Sequence, residues 1–472
     1  MSTRKIISST LYYGIVPKLS MLVSILILPL TTPILSTYDY GIWGVVSSYS
    51  GLLFCIAPLG LNLHLANSYY EMPKKWPLMW GRIFYLSLMS GLFFGIVNIL
   101  ILFFTVPIES RSALFLLCVI GSMQIFLLSS PMLAKHLYPL VEQPKPLVFT
   151  NLFGSLCGII TSFVLIYYLN LGYWGLVANT AVNSFIVFLM FSFQLKRQFG
   201  IVVTIEKNIR RVKSLLRSAL PLVPHTLGFV LLTSSARMVM GQYHLDYDDI
   251  GLYSHGCTMG DYVVIIPTAL VTAISPQLQV SFRGKDMRRY RMLFYLCQSV
   301  ALLSSFLICI WMDEIYSLLI RNEELRQSAS IAKYLCFAQV LLPLYWFMST
   351  SCFIERNTKQ LLWLVFVPGI LNLTLCEFLI PICGYRVAIF TTIISYWSQL
   401  AIPLFVPYFR NNTYEWLGSN IKLLLLALVV FLFLYGSNIL ALIPLTLKLV
   451  VSLASITLFV VVFQRYKISN AL

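Results

Sequence analysis

The chain has 472 residues, of which 59% are hydrophobic and only 11% charged, and it carries a formal net charge of +16. That balance leaves too little polar surface to cover a water-soluble globule of this size, so the bilayer is the solvent. The positive charge is therefore read as a topology signal and not as a nucleic-acid footprint.

A spanning helix needs about 20 mostly apolar residues to cross a hydrocarbon core roughly 30 Å thick. The sequence predicts fourteen such spans, at 10–35, 42–67, 84–106, 112–134, 147–169, 172–194, 218–242, 252–280, 291–312, 329–352, 360–382, 386–409, 421–441 and 443–464. Runs such as 96–104, apolar except for Asn98, and 423–434, apolar throughout, fit helices; the strands of a membrane barrel alternate polar and apolar positions. Pro17, Pro29, Pro33, Pro58, Pro221, Pro267 and Pro368 fall inside spans. They predict kinks whose freed carbonyls face protein or a water-filled cavity. Arg4 and Lys5 precede the first apolar run as in a secretory leader, but the run is too long and no A-x-A site follows, so it counts as a span.

The cations fix an orientation. With the N-terminus cytoplasmic, 25 of the 33 Lys and Arg fall in inner segments, and only Arg111, Arg321, Arg326 and Arg386 fall outside. Asp39, Glu109, Asp246, Asp248, Asp249, Asp313, Glu314, Glu323 and Glu324 are external. This is the positive-inside pattern and places both termini in the cytoplasm. Lys196, Arg197, Lys207, Arg210, Arg211, Lys213 and Arg217 form the densest cluster, suited to anionic lipid headgroups or to gathering an anionic lipid substrate. The ten cysteines mostly lie in spans without C-x-x-C spacing, which implies neither a disulfide framework nor a metal site.

An internal repeat links the halves. Tyr38-Asp39-Tyr40-Gly41-Ile42-Trp43 follows the first span, and Asp248-Asp249-Ile250-Gly251-Leu252-Tyr253 follows the seventh. Pro58 and Pro267 follow the two glycines at offsets of 17 and 16. Six intervening spans give the halves the same orientation, a parallel repeat. The expected architecture is all-α and polytopic. A six-helix lobe occupies 1–195, a basic linker 196–217 and a second six-helix lobe 218–410, with two added helices in 411–472. No phosphate-binding G-x-x-x-x-G-K-[ST] loop occurs, no loop is long enough for a catalytic domain, and His64, His136, His225, His244 and His255 lack metal-ligand spacing. No catalytic residue, metal or cofactor is expected, and the chain is read as a non-enzyme.

Ala219-Leu220-Pro221-Leu222-Val223-Pro224, Ser234-Ser235-Ala236-Arg237, Ile250-Gly251-Leu252-Tyr253-Ser254 and Ser275-Pro276 resemble the start of the second lobe in bacterial oligosaccharide flippases. Leu28-Pro29-Leu30, Tyr40-Gly41-Ile42-Trp43 and Leu59-Gly60-Leu61-Asn62 are similar to their opening region. These flippases form the polysaccharide-exporter branch of the multidrug, oligosaccharidyl-lipid and polysaccharide exporter superfamily and include the O-antigen translocases. One departure is Ala236, where members often carry Asp before the Arg of the seventh helix.

The resemblance implies translocation of a polyprenyl-diphosphate-linked oligosaccharide from the cytoplasmic to the outer leaflet of a bacterial inner membrane by alternating access. The partners would be that lipid-linked substrate, membrane lipids and polysaccharide polymerase machinery. A cation inside a membrane is costly and usually faces a cavity or a partner. Lys18 and Arg237 are the candidates for the diphosphate, although Arg237 also reads as snorkelling or as pairing with Asp261. Asp261 and Glu377 are candidate charge partners or ion sites. Lys333 and Lys448 read as interfacial anchors. Trp43, Tyr49, Tyr253 and Tyr262 are candidates for stacking on sugar rings. The rival readings are a cation-coupled multidrug exporter, a cell-wall lipid precursor flippase and a membrane polysaccharide polymerase.

Overall fold

A computed structural model describes residues 16–72, 74–108, 110–355, 357–410 and 444–465. The predicted span 421–441, most of the 411–472 segment and the side chain of Lys18 lie outside the described residues. Every regular element described is helical, as the apolar runs predict. Among the described residues nine helices are long and apolar enough to cross a membrane, and three shorter apolar helices accompany them. The chain falls into two compact units, residues 1–251 and 252–472.

The first unit contains α1 (Val16–Thr31), α2 (Thr37–Ile56), α3 (Leu63–Glu71), α4 (Trp76–Thr105), α5 (Arg111–Phe126), α6 (Ser129–Leu140), α7 (Pro144–Phe163), α8 (Tyr173–Phe199), α9 (Ile209–Ala219) and α10 (Val223–Gln242), and ends in the first turn of α11 (Tyr247–Asp261). Helices α7 and α8 pack along each other, as do α4 and α5, and α2 runs beside both α4 and α10. Helix α10, assigned by the sequence to the second lobe, thus lies against α2 of the first.

Apolar packing gives little preference for one helix partner over another in lipid, so polar ties between helices carry much of the specificity. Asn98 of α4 donates to Ser50 of α2 at 2.9 Å and to Ser122 of α5 at 2.8 Å. Ser36 caps α2 in a capping box with Asp39, and the second oxygen of Asp39 accepts from the Tyr173 amide at 2.8 Å. Asp39 therefore secures the starts of α2 and α8 together. The predicted span 42–67 is interrupted instead: α2 stops at Ile56, and Leu59 and Gly60 take positive φ values of 51° and 70° before α3 begins. Pro58 cannot donate a helical hydrogen bond there. A side chain at Gly60 would strike the backbone of Ala219.

Between α8 and α9 the chain runs as an extended strap. Thr204 donates its amide to the Gly81 carbonyl at 3.0 Å. Glu206 pairs with Arg82 at 3.1 Å and with Arg211 at 3.0 Å. The Asn208 amide and the Arg211 guanidinium hold the Glu206 carboxyl below its ordinary pKa.

The second unit contains the rest of α11, then α12 (Ile265–Arg283), α13 (Met287–Ile310), α14 (Met312–Leu319), α15 (Ala329–Ala338), α16 (Leu342–Ile354), α17 (Leu361–Cys383), α18 (Val387–Trp397) and α19 (Leu445–Arg465). Helix α13 is central and touches α12, α15, α16 and α19. The predicted span 329–352 is broken between α15 and α16 by a tight turn at Gln339–Leu341. Gln298 of α13 donates to the Val340 carbonyl at 2.9 Å, satisfying a backbone group at that break. Lys333 pairs with Asp313 and Lys448 with Glu314, each at 2.6 Å. The two lysines expected as interfacial anchors are thus ion-paired to adjacent carboxylates of α14. All ten cysteines are free thiols, and seven are buried.

Candidate functional site

In the first unit the interruption after α2 opens a cavity of about 600 Å³. Phe54, Cys55, Pro58, Gly60 and Asn62 form one wall, and Pro131, Met132, Lys135, His136 and Pro139 of α6 form another. Leu147, Val148 and Asn151 of α7, with Leu222 and Thr226 at the start of α10, complete the lining together with Leu128. The volume suits the headgroup of an amphipathic ligand.

The amphipathic pattern of α6 explains why its polar residues face this space. Leu133, Ala134, Leu137 and Tyr138 are fully buried on one side of the helix, which directs Lys135, His136 and Pro139 to the other. Lys135 is exposed in the cavity lining and has no ion-pair partner among the described residues. His136 Nδ1 lies 2.9 Å from the Met132 carbonyl. A carbonyl only accepts, so Nδ1 carries the proton and Nε2 is left for another partner. Pro139 has no N–H to offer the Lys135 carbonyl one turn earlier. The lining holds a lysine, a histidine, two asparagines and a threonine, but no carboxylate. Such a set can donate hydrogen bonds to an anion and to hydroxyl groups.

Lys135 and His136 were not among the sequence candidates, because the apolar run ends at 134 and Lys135 counts there as a loop cation. The readable signal was a Lys-His pair placed between Pro131 and Pro139.

The predicted residues are dispersed. Lys18 lies in α1, close to the first described residue. Arg237 is half-buried in α10; its Nη2 makes only long contacts, 3.5 Å to the Thr233 carbonyl and 3.4 Å to the Ser234 hydroxyl, and its Nε is buried without an acceptor. Among the described residues of the first unit no carboxylate pairs with it. Tyr49 of α2 donates to the Met238 carbonyl at 3.0 Å, which ties α2 to α10 at the residue after Arg237. Trp43 stands edge-on to Tyr40 with ring centroids 6.3 Å apart.

In the second unit, Asp261 accepts a hydrogen bond from Gln339 at the turn between α15 and α16. Tyr253 is 1% exposed and bonds the Thr392 hydroxyl at 3.2 Å, so in this conformation its ring is a packing surface with no free face. Tyr262 is half-buried in a tight turn after α11, and Glu377 is half-buried in α17.

A family model described as polysaccharide biosynthesis protein matches residues 6–279. A search among curated proteins finds no match. Among solved structures, a multidrug resistance MATE family transporter of the MOP superfamily in its inward-facing conformation is similar, with a TM-score of 0.65 and 14% identity, covering 89% of this chain and all of that one. A MATE protein in the straight conformation has a TM-score of 0.54 and 12% identity over 86% of this chain and 95% of its own. A MOP superfamily transporter from Pyrococcus furiosus, described as having a binding pocket of reverse polarity, has a TM-score of 0.52 and 13% identity over 87% and 96%. At these identities the likeness shows the fold. The match to more than half of the sequence shows the family: this multi-pass membrane protein belongs to the polysaccharide biosynthesis protein family and has the fold of MOP superfamily transporters.

Proposed function

We propose that the chain is a flippase that carries a polyprenyl-diphosphate-linked oligosaccharide from the cytoplasmic to the outer leaflet of a bacterial inner membrane. The observation that carries this reading is the cavity: it presents Lys135 and His136, hydroxyl- and amide-bearing side chains, and no acidic group. A diphosphate leaving water needs its hydration replaced by cations and donors, which this lining supplies. Sugar hydroxyls would find Asn62, Asn151 and Thr226. Lys18 and Arg237 are proposed as further cations along the route, and Trp43, Tyr49 and Tyr262 as aromatic contacts for the sugars. Membrane lipids surround the protein, and polymerase machinery would consume its product.

The fold is shared with proteins described as multidrug transporters, and cationic drugs would favour buried carboxylates over Lys135. The experiment reconstitutes the full chain in liposomes carrying lipid-linked oligosaccharide on one leaflet and scores arrival on the other with a membrane-impermeant sugar-modifying enzyme. Protein-dependent arrival supports the flippase. Gradient-driven efflux of cationic dyes without such arrival supports the drug exporter and overturns the reading. Normal translocation in both Lys18→Ala and Arg237→Ala removes those two residues from the diphosphate site.

A further inference from the structure

The two copies of the repeated motif do not merely recur; within the first unit they lie against each other. The opening turn of α2 crosses the first turn of α11. A methyl group added at Gly41 would overlap the Tyr247 carbonyl, and one added at Gly251 would overlap the Thr37 carbonyl. The approach is reciprocal, each glycine admitting the backbone of the other copy, as small residues do where membrane helices come closest.

Polar contacts close the same spot. Thr37 Oγ1 donates to Asp248 Oδ1. The Tyr247 hydroxyl donates to the Thr105 carbonyl at 2.8 Å, and the Tyr38 and Tyr247 rings lie 5.9 Å apart. Further along the seam, Val45 fills the space beside Gly241, and Tyr49 donates to the Met238 carbonyl. No disulfide among the described residues spans this seam. Backbone proximity and single hydrogen bonds bring its two sides together.

Position gives the crossing its meaning. Helix α2 has 20 residues and is about 30 Å long, the thickness of a hydrocarbon core. The crossing sits at its N-terminal end and the Lys135 cavity at its C-terminal end. One helix therefore carries a binding space at one membrane face and a closed contact at the other.

We propose that the Gly41–Gly251 crossing is a latch that seals the face opposite the Lys135 cavity and must part each time a ligand leaves by that face. The proposal rests on the transporter reading, but not on the identity of the ligand. Thr37→Cys and Asp248→Cys are introduced together into the full chain with its ten native cysteines replaced, and the pair is closed in proteoliposomes with an oxidant or a short thiol-specific cross-linker. The pair is expected to cross-link efficiently in the resting protein and to cut translocation of lipid-linked oligosaccharide more than tenfold, with recovery on reduction. Failure to cross-link, or full translocation with the link closed, overturns the latch.

A second readout needs no substrate, so it separates failure of the latch from failure of the flippase reading. Val45→Cys in the same background is expected to react slowly with a membrane-impermeant maleimide, faster when Gly251→Ala is added, and not at all while the Thr37→Cys/Asp248→Cys link is closed. Labelling indifferent to both the link and Gly251→Ala overturns the latch even if the protein moves no oligosaccharide.

Discussion

Lys135 stands one helical turn from Pro131 and one from Pro139, and both prolines share its cavity. A charge-assisted contact to phosphate is worth about 1.5–3 kcal/mol, so Lys135→Ala is expected to lower translocation roughly ten- to a hundredfold at limiting substrate. Membrane insertion should stay normal, because the side chain packs in no core. Lys135→Arg keeps the charge and is expected to retain more activity than Lys135→Ala; equal loss in both would mean that shape and not charge is being read. The liposome assay measures both variants.

The residue scale is also where sequence reasoning reached least far. Arg237 and Lys18 were chosen because cations inside apolar runs are costly, an argument that ranks residues by depth in a span. It cannot see Lys135, whose exposure follows from a helix continuing to Leu140 after the apolar run has ended. Burial of Leu137 and Tyr138 extends that helix, and this is tertiary packing. Tyr253 shows the converse: an aromatic near a helix start reads as a candidate for stacking on sugar rings, while packing buries its ring and sets its hydroxyl on Thr392 of α18.

At the scale of elements, α19 is held to the second unit by two polar links. Lys448 reaches Glu314 at 2.6 Å, and Trp311 donates to Ser452 at 3.0 Å. The Lys448 side chain is 4% exposed and that of Glu314 33%, so the pair is unequal. Removing one partner of a buried pair strands the other. Glu314→Gln, which leaves the lysine buried and unpaired, is expected to lower the thermal midpoint more than Lys448→Met, which leaves a carboxylate that water already reaches. The reverse order in detergent-solubilised protein would show that the pair contributes little.

The strap between α8 and α9 is a second element with a testable response. Because the Glu206 carboxyl titrates below its ordinary value, its contribution to holding the strap is present above the ordinary carboxylate pKa and is lost as pH falls through the lowered one. Hydrogen exchange across 200–208, corrected for the intrinsic rate at each pH, is expected to accelerate on acidification through that window in the native chain. In Glu206→Gln it should be fast already at neutral pH; exchange that ignores both changes would assign the strap's order to the Thr204–Gly81 hydrogen bond alone.

For the whole molecule, the all-helical membrane architecture and the family were legible from apolar periodicity and from loosely spaced motifs, since both are properties of composition over long stretches. The interruptions at 57–62 and 339–341 were not. Pro58 announces one of them, but Gln298, which satisfies the other, is distant in sequence and is identified only by packing. The cation asymmetry predicts that 196–217 is cytoplasmic and 313–326 external. Single cysteines at Lys207 and Glu323, in a background with the ten native cysteines replaced, should therefore react with an impermeant thiol reagent from opposite sides of the membrane; the inverted result would reverse the proposed direction of transport.

The mutual fit of Gly41 and Gly251 reaches beyond any single working cycle. Each copy of the motif uses the backbone of the other as its mould, so a side chain acquired by either glycine collides with the opposite half. Two copies of a repeated motif would ordinarily be free to drift apart. Here the divergence of one is limited by the shape of the other, and the pair changes together or not at all.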